Sequence, residues 1–289
     1  MVNLNQIKFP EIQNGTLYLI ATPIGNLGDI TLRALHTLKN VDIIYCEDTR
    51  VSQQLLKAYD IKKPLYVYHD HSRPTERQQI LKKLQSGLSI ALLSDAGTPL
   101  ISDPGYKVVE ECHQNHFPVT LIPGACALID GLVISGLPTD QFYFGGFLPL
   151  KEKDRQQKLS LLSTLPATLV FYETAPKLLK TLQDFDVLFR DRLLVIAREL
   201  TKKFETIHRD TVHNLLTYYT NEKPPKGELV LVLEGHSQQP GSLVSLSQIA
   251  CKKMLEKMST KEAADILSLL VGHPKNTLYQ ELLKFKNDA

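Results

Sequence analysis

The sequence predicts an α/β protein, two α/β domains followed by a short helical tail, and three observations carry that expectation. From about Gly15 to Leu137, short apolar runs alternate with amphipathic stretches, the rhythm of parallel βαβ units. From Phe142 to Leu233 strands and helices recur in a mixed order, which calls for a second sheet. After Gly235 a polar linker with Gly and Pro, His236-Ser237-Gln238-Gln239-Pro240-Gly241-Ser242, leads into three helical stretches. The expected domains are 1–140, 141–236 and 237–289.

In the first domain, strands are expected at 16–21, 42–46, 65–68, 89–93 and 119–122, each an apolar run. Helices are expected at 30–39, 50–58, 75–86, 105–115 and 125–135, and Asp29 or Thr31 can cap the first with a short polar side chain. Phe142-Tyr143-Phe144-Gly145-Gly146-Phe147-Leu148-Pro149 reads as a strand ended by a breaker, and it marks the domain junction. A basic, polar helix follows from Lys151 to about Ser163. Strands recur at 168–172, 193–197, 204–208 and 228–233, with helices near 176–189 and 211–220. In the tail, helices are expected at 246–257, 260–271 and 275–285. Ser259-Thr260-Lys261-Glu262 has capping-box spacing, and Gly272-His273-Pro274 ends one helix before the next. That pair reads equally as a helix-turn-helix or as a hairpin covering a core or a dimer contact.

Bulk properties narrow the function classes. At 289 residues, 43% hydrophobic and 22% charged, the chain is an ordinary globular protein of about two domains. A net charge of +2 gives no global positive field, so any nucleic-acid contact comes from local patches. Four scattered cysteines, Cys46, Cys112, Cys126 and Cys251, fit neither a disulfide framework nor a zinc site and point to a reducing cytoplasm. No apolar stretch reaches membrane-spanning length, and the N-terminus lacks an apolar signal core.

The most informative feature is a set of turns at the ends of three strands. Leu17–Ala21 runs into Thr22-Pro23-Ile24-Gly25-Asn26-Leu27-Gly28-Asp29. Ser89–Leu93 runs into Ser94-Asp95-Ala96-Gly97-Thr98-Pro99, with Ser102-Asp103-Pro104-Gly105 behind it. Val119–Ile122 runs into Pro123-Gly124-Ala125-Cys126-Ala127. Ligands of open α/β sheets bind at the carboxyl ends of strands, where such loops converge. Glycine allows close approach of the main chain to a ligand, and proline fixes the turn. There is no Walker-type phosphate loop, no G-x-G-x-x-G after the first strand, no H-E-x-x-H and no G-x-S-x-G. A cleft without an evident nucleophile or metal suits a reaction that mainly holds two substrates in line.

Thr22–Thr31, Glu47-Asp48-Thr49-Arg50, Ser94–Pro99 and Asp103-Pro104-Gly105 together resemble the bacterial small-subunit ribosomal RNA ribose 2′-O-methyltransferases, a branch of the tetrapyrrole-methylase superfamily. The similarity continues through Pro123-Gly124, Gly146-Phe147-Leu148-Pro149, Phe171-Tyr172-Glu173, Ala197–Lys202, Lys226-Gly227-Glu228 and, in the tail, Lys261-Glu262-Ala263-Ala264 and Leu278-Tyr279. It spans nearly the whole chain. One departure is that the family usually carries His-Arg shortly after Tyr-Glu, where this chain reads Thr174-Ala175-Pro176-Lys177. The resemblance implies two α/β domains with S-adenosylmethionine in the cleft between them, a helix-turn-helix-like tail, a homodimer, and methylation of a cytidine 2′-OH in 16S ribosomal RNA. The rivals are a superfamily methylase of a macrocycle or other non-RNA acceptor, and a non-catalytic RNA-binding assembly factor.

Turns and resemblance together point to the site residues. Donor contacts are expected from Pro23, Gly25, Asp95, Gly97, Thr98, Ser102, Asp103, Gly124, Ala125, Glu173, Thr201 and Gly227. Glu47, Asp48 and Arg50 are the catalytic candidates, since a 2′-OH is a poor acid and is helped by a base, with an Asp-Arg helix cap as the plain alternative. His69, Arg73, Lys153, Arg155, Lys202, Lys261 and Lys275 are the RNA-contact candidates, each also explicable as a solvated charge. His69-Asp70-His71 has a metal-like spacing, yet reads better as a loop, and no metal is expected.

Overall fold

The computed structural model describes residues 7–69, 74–222, 225–236, 248–271 and 274–287. Residues 1–235 and 236–289 form two compact units.

The larger unit contains two five-stranded sheets. The first is built from β1 (Leu17–Ile20), α1 (Leu32–Asn40), β2 (Ile43–Cys46), α2 (Thr49–Ala58), β3 (Leu65–Val67), α3 (Pro74–Gln85), β4 (Ile90–Leu93), α4 (Tyr106–Gln114), β5 (Val119–Ile122) and α5 (Ala127–Ser135). Its strands are all parallel, in the order β3-β2-β4-β1-β5. β1, β2 and β4 are buried at every position, which is why they read as unbroken apolar runs. Thr31 rather than Asp29 caps α1, its hydroxyl accepting from the Ala34 amide at 3.1 Å. A single 3-10 turn at Leu27–Asp29, capped by Asn26, lies in the stretch that the apolar pattern leaves blank.

The second sheet comprises β6 (Phe142–Phe147), β7 (Thr168–Thr174), β8 (Leu193–Arg198), β9 (Thr206–Thr211) and β10 (Glu228–Leu233), in the order β6-β7-β10-β8-β9. β6 and β7 are parallel and the other pairs antiparallel. Side chains alternate between two apolar cores, as the two-residue period of a strand requires. Leu169, Phe171, Leu194, Ile196, Leu229 and Leu231 face α6 (Glu152–Leu162), α7 (Leu178–Phe189) and α8 (Val212–Asn221). Val170, Val195, Ala197, Val230 and Val232 pack instead against Leu128 and Leu132 of α5. A Cβ at Gly131 would come within 2.6 Å of Val230 Cγ1, so this glycine lets α5 lie directly on the second sheet.

β9 begins two residues later than the sequence suggests. Residues 199–205 fold into a tight turn in which the Glu205 amide donates to the Lys202 carbonyl at 3.1 Å and its carboxylate accepts from the Thr201 amide at 2.6 Å.

The smaller unit contains α9 (Gln248–Leu255), α10 (Thr260–Val271) and α11 (Lys275–Asn287) around a core of Cys251, Ala263, Ala264, Leu267, Leu278 and Leu282. The capping box forms as spaced: Ser259 Oγ accepts from the Glu262 amide at 3.2 Å, and Glu262 Oε2 accepts from the Ser259 amide at 2.9 Å. Among the described residues no helix is long and apolar enough to cross a membrane.

Candidate active site

The turn after β4 is pinned to the turn after β1. Thr22 and Gly97 exchange two backbone hydrogen bonds, 2.9 and 3.1 Å, and Ser94 Oγ donates to the Gly97 carbonyl at 2.6 Å. Gly97 has φ +85°, a conformation natural to glycine, and a Cβ there would stand 3.2 Å from Ile24 Cγ2. The loop continues to Asp103 through Leu100 and Ser102, both with positive φ. Non-glycine residues held in that region are strained, and such strain concentrates at ligand sites.

Opposite lies a polar latch from the second sheet. Glu199 Oε1 accepts from Lys202 Nζ and from the Glu228 amide, each at 3.0 Å, and Lys202 Nζ reaches Glu228 Oε2 at 2.9 Å. Burial alone would raise the Glu199 carboxyl, but these donors hold it below its usual range; for Lys202 the two carboxylates likewise outweigh burial and raise the ammonium. The Lys202 stem crosses the Gly25 turn so closely that a Cβ on Gly25 would lie 2.3 Å from Lys202 Cγ. Gly227, at φ +98°, leaves room for Glu199 Oε1, which a Cβ would meet at 2.2 Å.

Between these walls is a cavity of about 300 Å³, at the small end of ordinary ligand pockets. Asp95, Gly97, Thr98, Ser102 and Asp103 line one side, with Tyr172, Thr174, Glu199, Lys202 and Glu228 on the other. Ile24, Ile101, Ala127, Phe147 and Val230 supply apolar surface. Burial, reinforced by the Glu47 and Asp95 charges, pushes the Asp103 carboxyl up to about 7. Burial also raises the Tyr172 phenol, whose oxygen accepts from the Leu128 amide at 3.1 Å.

A second hollow, the mouth, shares Asp95 with the cavity and is lined by Glu47, Asp48, Thr49, Arg50, Val67 and His69. Asp95 Oδ1 accepts from the Asp48 amide at 3.0 Å. Asp48 caps α2 and holds Arg50 bidentately at 2.6 to 3.2 Å, and those hydrogen bonds lower its carboxyl to about 2. Pro23 and Gly25 line a third hollow, again with Asp95.

Several expected residues stand behind the walls. Gly124 packs on Ala21, and the Ala125 carbonyl accepts from Thr98 Oγ1 at 3.0 Å. Thr201 has φ +66° and a buried hydroxyl with no hydrogen-bond partner. Glu173 does line the cavity, but it is 4% exposed with its oxygens engaged by the Thr174 amide and the Thr181 hydroxyl, so it braces the wall more than it offers a free carboxylate. The expected histidine position is replaced by a 3-10 turn, Ala175–Lys177, with Thr174 on the cavity and Lys177 exposed.

The described RNA-contact candidates each have a setting of their own. Arg155 is a correction: it is 4% exposed, paired with Asp184 at 2.5 Å and donating to the Pro149 and Leu150 carbonyls, so it binds the core of its own half. Lys202 is likewise committed to the latch. Lys275 is paired with Asp265. Lys153 and Lys261 are exposed on α6 and α10, and His69 is exposed at the mouth. Arg73, with Asp70 and His71, lies outside the described residues. Among the described residues no three His, Cys, Asp or Glu side chains are arranged to hold a metal.

Sequence reasoning missed Phe147, Tyr172 and Ala197 as cavity lining. Tyr172 lies on the same face of β7 as Val170, so alternation read outward from the core reaches it.

A family model described as tetrapyrrole (corrin/porphyrin) methylases matches residues 16–216. The chain belongs to this family. It is a methyltransferase, and S-adenosylmethionine is the methyl donor of such enzymes. Among curated relatives, a protein of Haemophilus influenzae named ribosomal RNA small subunit methyltransferase I is 45% identical over 270 residues, covering 92% of this chain and 95% of the relative. A protein of the same name from Escherichia coli O157:H7 is 42% identical, covering 97% and 99%. Among solved structures, a diphthine synthase superposes with a TM-score of 0.60 at 13% identity, covering 76% of this chain and 91% of that one. Uroporphyrin-III-C-methyltransferase from Thermus thermophilus gives 0.51 at 19% identity, covering 75% and 94%. These structures share the fold.

The cavity fits the methyl donor. It combines an apolar lining for a nucleoside, main-chain groups of the 94–98 turn, and carboxylates that favour a cationic sulfonium.

Proposed function

We propose that the protein transfers a methyl group to the ribose 2′-OH of a cytidine in 16S ribosomal RNA, as a cytoplasmic enzyme acting on the small subunit. The observation that carries this reading is relatedness along the full chain: the match to the Escherichia coli protein covers 97% of this chain, tail included. The uroporphyrin methylase is matched almost throughout by only three quarters of it.

S-adenosylmethionine supplies an electrophilic methyl on a sulfonium sulfur. The 94–98 turn, Asp103 and the Glu199–Lys202–Glu228 latch hold the donor, gripped between the 1–140 and 141–236 halves. The mouth at Glu47, Asp48 and Arg50 receives the ribose. Asp48 stays ionised on Arg50 and is a poor proton acceptor, so its work is to fix α2 and Arg50. Glu47 takes the hydroxyl proton as the new O–CH₃ bond forms. His69 adds hydrogen bonds at the mouth, and Lys153 and Lys261 meet phosphates elsewhere on the RNA.

The functional form is a homodimer. α5 exposes Ile129, Val133 and Ile134, with Val133 at 67%, while the edge strands β5 and β6 expose Leu121, Phe142 and Tyr143. A second copy of the chain covers these groups; light scattering at a monomer mass would contradict it.

Nucleoside mass spectrometry on small-subunit RNA tests the reaction. A strain lacking the gene should lose one 2′-O-methylcytidine, and a plasmid copy should restore it. An unchanged nucleoside profile would overturn the reading.

A further inference from the structure

A chain of hollows leads away from the donor cavity. Asp95 belongs to both the cavity and the mouth, and Arg50 belongs to both the mouth and a groove of about 870 Å³ along α2 and β3. Gln54 joins that groove to the hollow at Pro23 and Gly25.

The groove is strongly one-signed. Arg50, Lys57, Lys62 and Lys63 line it against a single carboxylate, Asp60. Arg50 is committed to Asp48, but among the described residues Lys57, Lys62 and Lys63 form no ion pair. Lys57 and Lys62 are exposed and Lys63 is half-buried. The floor is apolar, from Leu56 and Ile61, and Gln53 and Gln54 add amide donors and acceptors to the wall. A merely solvated helix face would be convex and mixed in sign. Here ammonium groups outside any close ion pair, with only Lys63 acting at longer range on the Asp42 carboxylate, surround a concave, apolar-floored path that ends at the mouth, which suits a flexible polyanion with planar bases.

We infer that this groove carries the phosphodiester backbone of the RNA strand flanking the nucleotide to be methylated, with Lys57, Lys62 and Lys63 neutralising its phosphates. The inference rests on the RNA reading above and gives that substrate a route into the mouth. It also relocates the RNA footprint, because Arg155 is buried against Asp184 and Lys202 is paired with Glu199 and Glu228.

The test is a full-length Lys57→Gln/Lys62→Gln/Lys63→Gln variant compared with Lys8→Gln/Lys39→Gln/Lys82→Gln, which removes equal charge from exposed lysines outside the groove. Fluorescence anisotropy with a labelled oligocytidylate across a salt series reads binding, and calorimetry reads the donor. The groove variant should bind the oligonucleotide about tenfold or more weakly. Its slope of log affinity against log salt should fall by about 2, at roughly 0.7 for each phosphate that is no longer neutralised. Donor affinity should stay at the parental value, and the control triple should behave like the parent. Equal losses in both triples, or none in either, would overturn the inference. Binding of polyglutamate in preference to the oligonucleotide would overturn it in favour of an acidic protein surface. If the parent methylates RNA and the groove variant binds like it, the groove falls alone. If the parent methylates no RNA but the groove variant still loses oligonucleotide binding, the groove stands and the methylation reading falls.

Discussion

Asp103→Asn removes a charge that the folded protein accommodates poorly. The carboxyl stands at about 7 in the fold against an ordinary 3.8, because burial, then Glu47 and Asp95, disfavour the anion. Below the ordinary value both folded and unfolded chains are protonated, and the group contributes nothing. As pH rises from 3.8 towards 7 the folded chain retains a proton that the unfolded chain has lost, so stability falls; above 7 the cost is complete. In a fully dry site the difference corresponds to about 4 kcal/mol. Asp103 keeps a solvent-facing side, which screens the charge, and about 2 kcal/mol is the expected size. Asp103→Asn should therefore be more stable than the parent by about 2 kcal/mol at pH 8 and by only about 0.5 kcal/mol at pH 4. Urea denaturation at the two pH values measures this. The same variant should bind S-adenosylmethionine about tenfold more weakly, the usual opposition between stability and function at a ligand site. A gain independent of pH, or a loss at pH 8, would refute the reasoning.

Three other substitutions probe the walls. Gly97→Val places a branched side chain at φ +85° and against Ile24, and should abolish donor binding by calorimetry while circular dichroism stays native. Gly227→Ala pushes a Cβ into Glu199 Oε1 at φ +98°, and should cost about 1–3 kcal/mol in urea while raising the donor KM through the displaced latch. Arg155→Ala strands Asp184 in the core and should cost about 3–5 kcal/mol, while Arg155→Met/Asp184→Leu should recover most of that loss in the same urea assay.

The strand-end turns were legible because a parallel sheet buried on both faces writes its strands as apolar runs, and Gly97 and Asp95 sit directly beyond one of them. Arg155 was misread, although a signal existed. It lies with Leu159 and Leu162 at the i, i+4, i+7 spacing of one buried stripe on α6, so its guanidinium turns inward to Asp184. The Glu199–Lys202–Glu228 latch was not legible as a unit. Glu199 and Glu228 meet only because β8 and β10 pair antiparallel, and that register depends on the whole sheet. The groove on α2 was invisible for a related reason: Lys57, Lys62 and Lys63 look like ordinary solvated charges until the fold shows the hollow between α2 and β3.

The central claim is that this cleft methylates a ribose hydroxyl of small-subunit RNA. The direct measurement is transfer of a labelled methyl group from S-adenosylmethionine to small subunits from a strain lacking the gene, followed by alkaline hydrolysis. Label retained in an alkali-resistant dinucleotide is the predicted result, because a 2′-O-methyl blocks cleavage at that linkage. Label found only in mononucleotides, or no transfer by a protein that binds the donor, would contradict it.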